Sequence, residues 1–417
     1  MSEPSARPSS VMNQKVSEEI SVEVATTFEQ LVSMQQEWDD FMESIGGEIF
    51  LTYDWCRIWW KHYGTNRRLM IFLLRGPAGL CGLLPMFSER VGVKPVELAV
   101  IKMVGSDFMP VTFSVPVKDD MLERVIPAFI GRLNEECQWD LLYLGAICGK
   151  YPALDRLSES LKGALDGAFF VEVSSNEVQT YFELADSWKE QIDTLSKRQR
   201  TKTKRVYKEI QSKGMSLTSA FTTETTSSRM FSDFVQMHQA QWQQVGMPGH
   251  FADWPSAHEF HREMAEAQLV RNRLRLLRIT LNDDVIGYDY MYKFGQTYQW
   301  FLTARSGLER DSRIDFHRVS FGEKVEHALK DDVRFIDGGR GEYEYKMVMG
   351  GKLFPVHSIL VYQDRPLARV KVECFRSFMS FINILYSKIW RRRVAPRLGT
   401  KAGPFWRWWI RTHMLSR

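Results

Sequence analysis

Residues 337–346 have the sequence Asp337-Gly-Gly-Arg-Gly-Glu-Tyr-Glu-Tyr-Lys346, in which three glycines separate a short apolar run from a Tyr-Lys pair. The apolar run contains Val333, Phe335 and Ile336 and is typical of a short buried strand. Glycine tolerates positive φ and lets the backbone approach another backbone or a ligand closely. A strand that ends in an aspartate and continues through Gly-x-Gly therefore predicts a sheet edge that is opened for a ligand.

The segments before this stretch alternate between the helical period of apolar residues and the period of a strand. They predict, in chain order, a helix over 188–214, a strand over 215–221, helices over 229–245 and 257–267, strands over 274–281, 285–294 and 297–303, and a helix over 313–329. The apolar run that leads into Asp337 is the next strand, so the glycine stretch closes a unit of mixed helices and strands.

The first half of the chain repeats this order of elements. It predicts helices over 28–42 and 50–63, strands over 69–74, 80–87 and 98–104, a helix over 121–137 and a strand over 139–144. Two successive units of this kind predict an α/β protein with a duplicated fold, and 417 residues are enough for two domains. We expect domains at 21–175 and 176–365, a disordered segment at 1–20 and a separate tail at 366–417.

Cysteine usage and hydropathy predict a cytoplasmic protein. The five cysteines are scattered without a CxxC spacing, which favours reduced thiols. The first 19 residues are polar and lack the apolar core of a secretory signal. No stretch reaches the ~18 uncharged apolar residues that a membrane-spanning helix needs, so we expect no such helix.

Five short motifs, taken in order, resemble the FemAB/CelD-like branch of the GNAT acyltransferase superfamily. They are the aromatic helix with Tyr53, Trp55, Trp59 and Trp60, the turn Gly105-Ser106-Asp107, the basic helix around 197–205, His238-x-x-x-Trp242 with Gly249-x-Phe251, and Asp337-x-Gly339-x-Gly341 followed by Tyr345-Lys346. The resemblance covers roughly residues 25–360. It implies two tandem GNAT-like domains, each a mixed twisted sheet flanked by helices. It also implies transfer of an acyl or aminoacyl group to an amine, usually in cell-envelope or exopolysaccharide biosynthesis.

The motifs supply candidates for a catalytic site. We expect catalytic roles for Asp337, Tyr345 and Lys346, with the carboxylate as a general base and the lysine paired with a phosphate or carboxylate of the substrate. The alternatives are an aspartate that caps the glycine turn and a surface lysine. The candidates for substrate binding are Asp107, His238, Trp242, Asp289, Trp300, Gly339 and Gly341.

Other site chemistries find less support in the sequence. His238 and Trp242 lie one helical turn apart, so a pair of core side chains is the alternative to a cleft wall. His258 and His261 are three residues apart rather than the four of HExxH, and we predict no metal site. No Ser/His/Asp or Cys/His arrangement is recognisable, so covalent catalysis is not expected.

The expected donor is acetyl-CoA or another acyl-CoA. Many GNAT domains bind the coenzyme A pyrophosphate through a glycine-containing loop that opens a helix, where backbone N–H groups meet the phosphates. The corresponding segment, 303–313, has no glycine pair and contains three arginines. Because the segment departs from the family pattern, we expect Arg305, Arg310 and Arg313 to supply the charge that binds the cofactor.

Two alternative functions remain open. The basic helix around 197–205 favours an enzyme that takes aminoacyl groups from tRNA, although a solvated basic face is the simpler interpretation of that helix. A catalytically silent GNAT-like scaffold of a polysaccharide-export complex, acting through the tail, is the other alternative. The absence of the glycine loop favours the scaffold, whereas Asp337, Gly339, Gly341 and Lys346 favour an enzyme.

The tail at 366–417 holds an excess of positive charge. It has 12 Lys and Arg against one acidic residue, Glu373, a net charge of +11, and because the whole chain carries +4 the other residues carry −7. Residues 370–390 have helical spacing, with an apolar face formed by Cys374, Phe378, Phe381, Ile382, Leu385 and Ile389. Basic residues beside such a face are typical of a membrane-surface anchor, so we expect binding to the anionic inner membrane surface. Docking on the body or on a protein partner is the alternative.

Overall fold

The computed structural model describes residues 19–92, 97–107, 111–165, 167–247, 249–307 and 314–398. The strands of these residues form one twelve-stranded sheet with the order β1-β2-β3-β4-β5-β12-β6-β11-β10-β9-β8-β7. The strands are β1 (Ser21–Ala25), β2 (Arg68–Gly76), β3 (Gly79–Val91), β4 (Leu98–Met103), β5 (Leu141–Cys148), β6 (Phe169–Glu183), β7 (Leu217–Phe221), β8 (Leu274–Leu281), β9 (Asp284–Phe294), β10 (Thr297–Arg305), β11 (Phe335–Arg340) and β12 (Lys352–Gln363). Strands β4 and β5, and strands β10 and β11, pair in parallel, and the other neighbours are antiparallel.

Helices cover the sheet between these strands. They are α1 (Gln35–Ser44), α2 (Tyr53–Tyr63), α3 (Leu122–Glu136), α4 (Leu154–Ala164), α5 (Trp188–Asp193), α6 (Lys197–Ser212), α7 (Ser227–Gln243), α8 (His250–Asp253), α9 (Ala257–Val270), α10 (Phe316–Lys330), α11 (Glu344–Met347), α12 (Pro366–Ile384), a π-helix (Leu385–Val394) and α13 (Ala395–Leu398). Three short 3-10 helices cover Glu29–Met34, Ile49–Leu51 and Asp119–Met121.

The two halves of the sheet have the repeated order that the sequence predicts. Strands β1 to β5 come from the first half and β7 to β11 from the second, and the α/β class with a duplicated unit is confirmed. The sequence pattern did not reveal β12, which returns from the end of the second half to pair with β5 and β6. The predicted domain boundary after residue 175 lies inside β6, which runs through the middle of the sheet.

The predicted helix over 188–214 is two helices in the structure. Helix α5 ends at Asp193, and Ser196 begins α6 by accepting a hydrogen bond on its hydroxyl from the backbone N–H of Gln199 at 3.4 Å. A serine at this position satisfies one of the free N–H groups of a helix start and so favours the break.

The two halves share a buried aromatic core. The side chain of Trp55, on α2 of the first half, packs against Phe260, Tyr292 and Phe301 of the second half, with ring centroids 5.6–6.2 Å apart. Aromatic pairs at this spacing contribute about 0.5–1.5 kcal/mol each beyond the area that they bury. The aromatic residues of the early helix therefore join the halves and hold the neighbouring second-half strands in place.

Candidate functional site

The parallel strands β10 and β11 separate halfway along their length. Their pairing covers Thr297–Gln299 and Phe335–Asp337 and ends there. Beyond this point β10 remains paired with β9, whereas β11 continues beside β6 with a change of register between Asp337 and Arg340. Gly339 has a φ of 75°, which a side-chain-bearing residue rarely adopts, so the glycine lets the backbone turn where the strands part. A gap opens at the end of the predicted strand.

The carboxyl group of Asp337 lies buried at this divergence. Its Oδ1 accepts hydrogen bonds from the backbone N–H of Gly339, at 2.8 Å, and from the amide of Gln179 on β6. Its Oδ2 accepts no hydrogen bond of good geometry from the residues that the structure describes, and the phenol of Tyr181 on β6 lies close enough to favour the ionised carboxylate. Burial raises the pKa of this carboxyl to about 6. Asp337 thus caps the glycine turn with one oxygen and keeps the other available for a proton.

Lys346 holds the glycine loop closed. Its ammonium donates to the carbonyl oxygens of Gly339 at 3.1 Å, Arg340 at 3.0 Å and Gly341 at 3.4 Å. The side chain is buried rather than on the surface, and burial lowers its pKa to about 8. The short helix α11 places the lysine there, so the Tyr-Lys pair serves the conformation of the loop directly.

A second buried carboxyl, that of Glu48, belongs to the first half of the chain. Its oxygens accept hydrogen bonds from the backbone N–H of Ser114, at 2.6 Å, and from the hydroxyl of Tyr151. Burial, and to a smaller extent the negative charge of Asp337, raises the pKa of Glu48 to about 7. Glu48 has no signature in the sequence, because its partners come from three distant segments and no motif marks them.

The loop after β5 connects these two carboxyl groups. The ammonium of Lys150 lies 4.5 Å from the ring centre of Tyr181 and 4.2 Å from that of Phe335, so this loop packs on β6 and β11. Tyr181 is the residue of β6 paired with Asp337. Two groups that ionise near neutral pH therefore sit where the two halves meet, a common feature of sites that move protons.

The variant Glu48→Gln should be more stable than the parent protein at pH 8 and equal to it at pH 4. The folded-state pKa of about 7 lies above the ordinary value of 4.5, so the stability contributed by this group is present below pH 4.5 and is lost as the pH rises through 7. Glutamine resembles the protonated acid and avoids that loss, which amounts to up to about 3 kcal/mol. Urea unfolding at both pH values measures the difference.

The matched control is Glu159→Gln, because Glu159 is an exposed carboxylate paired with Lys162. We expect it to change stability by less than about 0.5 kcal/mol at either pH. Equal stability of Glu48→Gln and the parent at pH 8 would show that the Glu48 carboxyl is not held in a desolvated state.

Thr303 on β10 connects three of the predicted binding residues. Its carbonyl oxygen accepts a hydrogen bond from Nδ1 of His238 at 3.0 Å, and its hydroxyl donates to Oδ1 of Asp289 at 2.6 Å. The indole of Trp300 donates to the same hydroxyl at 2.8 Å. Burial lowers the pKa of His238 to about 4, so the ring is neutral and its Nε2 accepts from His250 at 2.9 Å. The bonds fix β10 where it leaves β11.

A buried ion pair lies behind this strand. The ammonium of Lys324, on α10, is 2.9 Å from Oδ2 of Asp289, and neither side chain is exposed. Ser320 donates to the same carboxylate oxygen at 2.5 Å and accepts from Lys324 at 2.8 Å. The ammonium also lies 3.4 Å from the ring centre of Trp300. Both carboxylate oxygens of Asp289 therefore have partners within the protein. Asp289 affects the gap indirectly, because it helps to fix the positions of Trp300 and Thr303.

Aromatic rings line the side of the gap next to α10. The ring of Tyr345 lies 6.0 Å from that of Trp300 and stacks on His317 at 4.8 Å between centroids. The ring of Tyr343 stacks on that of Tyr345, with 5.8 Å between the two ring centroids. Strand β10, helix α10 and the segment 337–346 thus meet at one wall.

The other predicted site residues lie in different parts of the structure or outside the described residues. Asp107 is in the first half, in a buried cluster of two acidic and two basic side chains with Arg67, Glu89 and Lys102. The ring of Trp242 lies 6.2 Å from that of His238. Arg305 ends β10, and Arg310 and Arg313 lie outside the described residues.

Comparison with known proteins gives two findings about this architecture. Residues 197–347 match a family described as "Acetyltransferase (GNAT) domain". The crystal structure of FemX is similar to the whole fold, with a TM-score of 0.59, 12% sequence identity, and coverage of 81% of this chain and 98% of FemX. No curated protein matches the sequence.

Two further crystal structures are less similar. A conserved protein of unknown function from Bacteroides thetaiotaomicron VPI-5482 has a TM-score of 0.47 and 10% identity, covering 79% of this chain and 97% of its own. The C-terminal domain (DUF2156) of a putative lysylphosphatidylglycerol synthetase from Agrobacterium fabrum has a TM-score of 0.46 and 9% identity, covering 86% and 96%.

The matches establish the fold. Residues 197–347 match a GNAT acetyltransferase domain, and the chain as a whole has the FemX-like architecture of tandem GNAT-like domains. The fold predicted from the sequence is confirmed at this level, and membership of the CelD-type branch stays a prediction.

Proposed function

We propose that this chain is an acyltransferase that forms an amide on an amine of a cell-envelope or exopolysaccharide precursor, with the reaction taking place in the gap between β10 and β11. The observation that carries the proposal is the carboxyl of Asp337. It is buried at the mouth of the gap inside the matched GNAT domain, with one oxygen free and a pKa of about 6. A carboxylate with that pKa is ionised at neutral pH and still a useful base.

For amide formation the protein has to position the two reactants, supply a general base and stabilise the oxyanion. The acceptor nitrogen attacks the donor carbonyl, a carbon–nitrogen bond forms, and the bond from that carbon to the leaving group breaks. Asp337 takes the proton that the amine loses, and the leaving thiolate or alkoxide takes one from solvent. Backbone N–H groups of β10 beyond Gln299, no longer paired with β11, supply hydrogen bonds to the oxyanion.

The other residues of the site hold these groups in place. Lys346 ties three carbonyl oxygens of the glycine loop together and so sets the position of Asp337 relative to β10. Trp300 and Tyr345 form the wall that excludes water, and His238 and Asp289 position that wall through Thr303. In this proposal Tyr345 and Lys346 are positioning residues, and Asp337 is the catalytic one.

The proposed donor is acetyl-CoA or another acyl-CoA, and calorimetric titration tests it. We expect acetyl-CoA to bind with a micromolar dissociation constant, and Lys346→Met to weaken binding at least tenfold, because the glycine loop loses three charge-assisted hydrogen bonds. Lys352→Met is the matched control, since Lys352 is an exposed lysine of β12 paired with Glu183. Its affinity should equal that of the parent protein.

Absence of binding up to millimolar acetyl-CoA and coenzyme A would reject this donor. An aminoacyl-tRNA would then be the next donor to test, because helix α6 exposes a row of cations that a polyanion could contact. They are Lys197, Arg198, Lys202, Lys204, Arg205 and Lys208. Transfer from aminoacyl-tRNA that falls on charge reversal at Lys202 and Arg205 would support that donor. No transfer from either donor would favour the non-catalytic scaffold.

A further inference from the structure

Helix α12 carries apolar side chains on two opposite faces. The inner face consists of Val372, Phe375 and Met379, which are buried against a cluster of side chains from the first half of the sheet, among them those of β4, β5 and β12. Arg376, between them, pairs with Glu172 on β6 at 2.8 Å. This face explains why the helix docks on the sheet.

The outer face of the same segment is apolar and exposed to solvent. Phe381 is 55% exposed and Phe378 is 45% exposed. The large exposed apolar side chains on it are Leu367 and Val370 in the first turns of α12, and Phe378, Phe381, Ile384 and Ile389 further along. Since the inner face accounts for docking, this outer stripe serves no packing within the described part of the chain. A contiguous apolar surface of this kind marks an interaction site.

Positive charge surrounds the stripe. The exposed cations of the segment are Lys388, Arg392, Arg393 and Arg397, together with Arg369, which forms an ion pair with Asp364. The one acidic residue after position 365, Glu373, lies 3.6 Å from Arg376, which offsets its charge. The surface therefore offers apolar contact and an excess of positive charge at the same place.

The segment is fixed to the body at both ends, so the stripe has a defined orientation. Beyond α12, Tyr386 in the π-helix and Ala395 in α13 are buried. Pro396 lies beside Gly246, at the end of α7 in the second half. The stripe is thus presented by a helix that spans from the first half of the sheet to the second half of the protein.

We propose that the outer stripe of α12 and the π-helix docks on the surface of an anionic lipid bilayer. A bilayer takes up a row of Phe, Leu, Ile and Val side chains, and its anionic headgroups attract the cations beside them. Residues 399–417 and a second copy of this segment are themselves basic, so like charges oppose either of them as the cover. No helix among the described residues is long and apolar enough to cross a membrane.

The test uses the full chain with substitutions rather than a deletion. Removing residues 366–417 would uncover the apolar partners of Val372, Phe375 and Met379 on the sheet. The truncated protein would then associate non-specifically through this apolar surface, whether or not lipid is present. The variant Phe378→Ser/Phe381→Ser alters only the outer face. The control Val32→Ser/Val270→Ser removes two apolar side chains that are 60% and 81% exposed outside the segment.

Sedimentation with sucrose-loaded vesicles measures the binding. We expect the parent protein to bind vesicles of phosphatidylcholine with about 30% phosphatidylglycerol at least tenfold more tightly than vesicles of phosphatidylcholine alone, and less tightly at 0.5 M salt. The double Phe variant should lose at least tenfold in binding with an unchanged melting temperature, and the Val variant should bind as the parent does.

Three results would overturn the proposal: no binding of the parent to anionic vesicles, equal binding to both lipid compositions, or undiminished binding of the Phe variant. Self-association that disappears in the Phe variant, seen by analytical ultracentrifugation in the absence of lipid, would assign the stripe to a second copy instead. Because the readout is lipid binding without any transfer, the outcome is independent of the proposed acyltransferase activity.

Discussion

Asp337→Asn is expected to lower the rate of acyl transfer by about two to four orders of magnitude while changing the melting temperature by less than about 2 °C. Asparagine keeps the oxygen that accepts hydrogen bonds from Gly339 and Gln179, so the glycine turn stays capped. It places an amide where the free oxygen of Asp337 would take the proton. Steady-state kinetics and thermal unfolding of the same preparation measure the two quantities.

The pH profile adds a second readout. Because Asp337 acts as a base with a pKa of about 6, kcat/KM of the parent should fall tenfold per pH unit below that value. The residual activity of Asp337→Asn should lack this dependence. A large loss of melting temperature together with an unchanged pH profile would assign Asp337 to structure alone, as the cap of the glycine turn.

A carboxylate with a structural role supplies the control. Asp331 accepts hydrogen bonds from Arg275 and Tyr298, both at 2.6 Å, at the end of α10. Asp331→Asn should reduce stability by about 1–3 kcal/mol and leave the pH dependence of kcat/KM as in the parent. The two Asp→Asn variants are thus expected to have opposite effects on activity and on stability.

Lys324→Met should cause the largest loss of stability, about 3–5 kcal/mol. Lys324 and Asp289 are both completely buried, and removing the cation leaves the carboxylate with only the hydroxyls of Ser320 and Thr303. Methionine fills a similar volume, so the loss reports charge rather than a cavity. The free energy of unfolding from urea titration at pH 7 measures it.

The double variant Lys324→Met/Asp289→Asn tests the cause. With both charges gone, we expect most of the lost stability to return, as a double-variant cycle with an interaction energy of about 2–3 kcal/mol. Equal losses in the single and double variants would mean that the lysine stabilises the fold through its contact with Trp300 and not through the ion pair.

Local pattern was enough to predict most of the elements. Apolar runs and alternation in the sequence predicted the strands of the second half. Strands β8, β9 and β10 form close to the predicted ranges. Strand β12 was missed, although its residues Val356, Ile359, Leu360 and Val361 are buried. The apolar run Ile359–Tyr362 is buried on both faces and so lacks the alternation of polar and apolar residues, and the part before it is largely exposed or half-buried, so the pattern of the strand does not distinguish it.

Some residues of the candidate site could be predicted from the sequence and others could not. The sequence pointed to Asp337, Lys346, Trp300, Asp289 and His238, and the structure places them around one gap. It did not point to Gln179, Glu48, Thr303 or Lys324, which supply the hydrogen bonds and charges that set the properties of the first group. A lone glutamine, threonine or lysine inside a helix or strand has no local signature of its role.

In the tail, the helix could be predicted from the sequence, but the surroundings of its apolar faces could not. Helical spacing predicted an apolar face at 370–390, and a helix forms there. Whether that face docks on the body or faces outward depends on what lies beside it, and the structure shows one apolar face in each position. The membrane remains a proposal, because the sequence defines charge and hydrophobicity without defining exposure.

The sequence by itself determined the α/β class, the duplication, the glycine stretch after a buried strand and the basic tail. These depend on periodicity, composition and the backbone freedom of glycine, all of which act over a few residues. Only the tertiary structure decided that β10 and β11 separate at Asp337, that Glu48 of the first half approaches the same place, and that Lys346 closes the loop. Burial and the pKa values that follow from it arise from groups distant in the chain, and no local pattern encodes them.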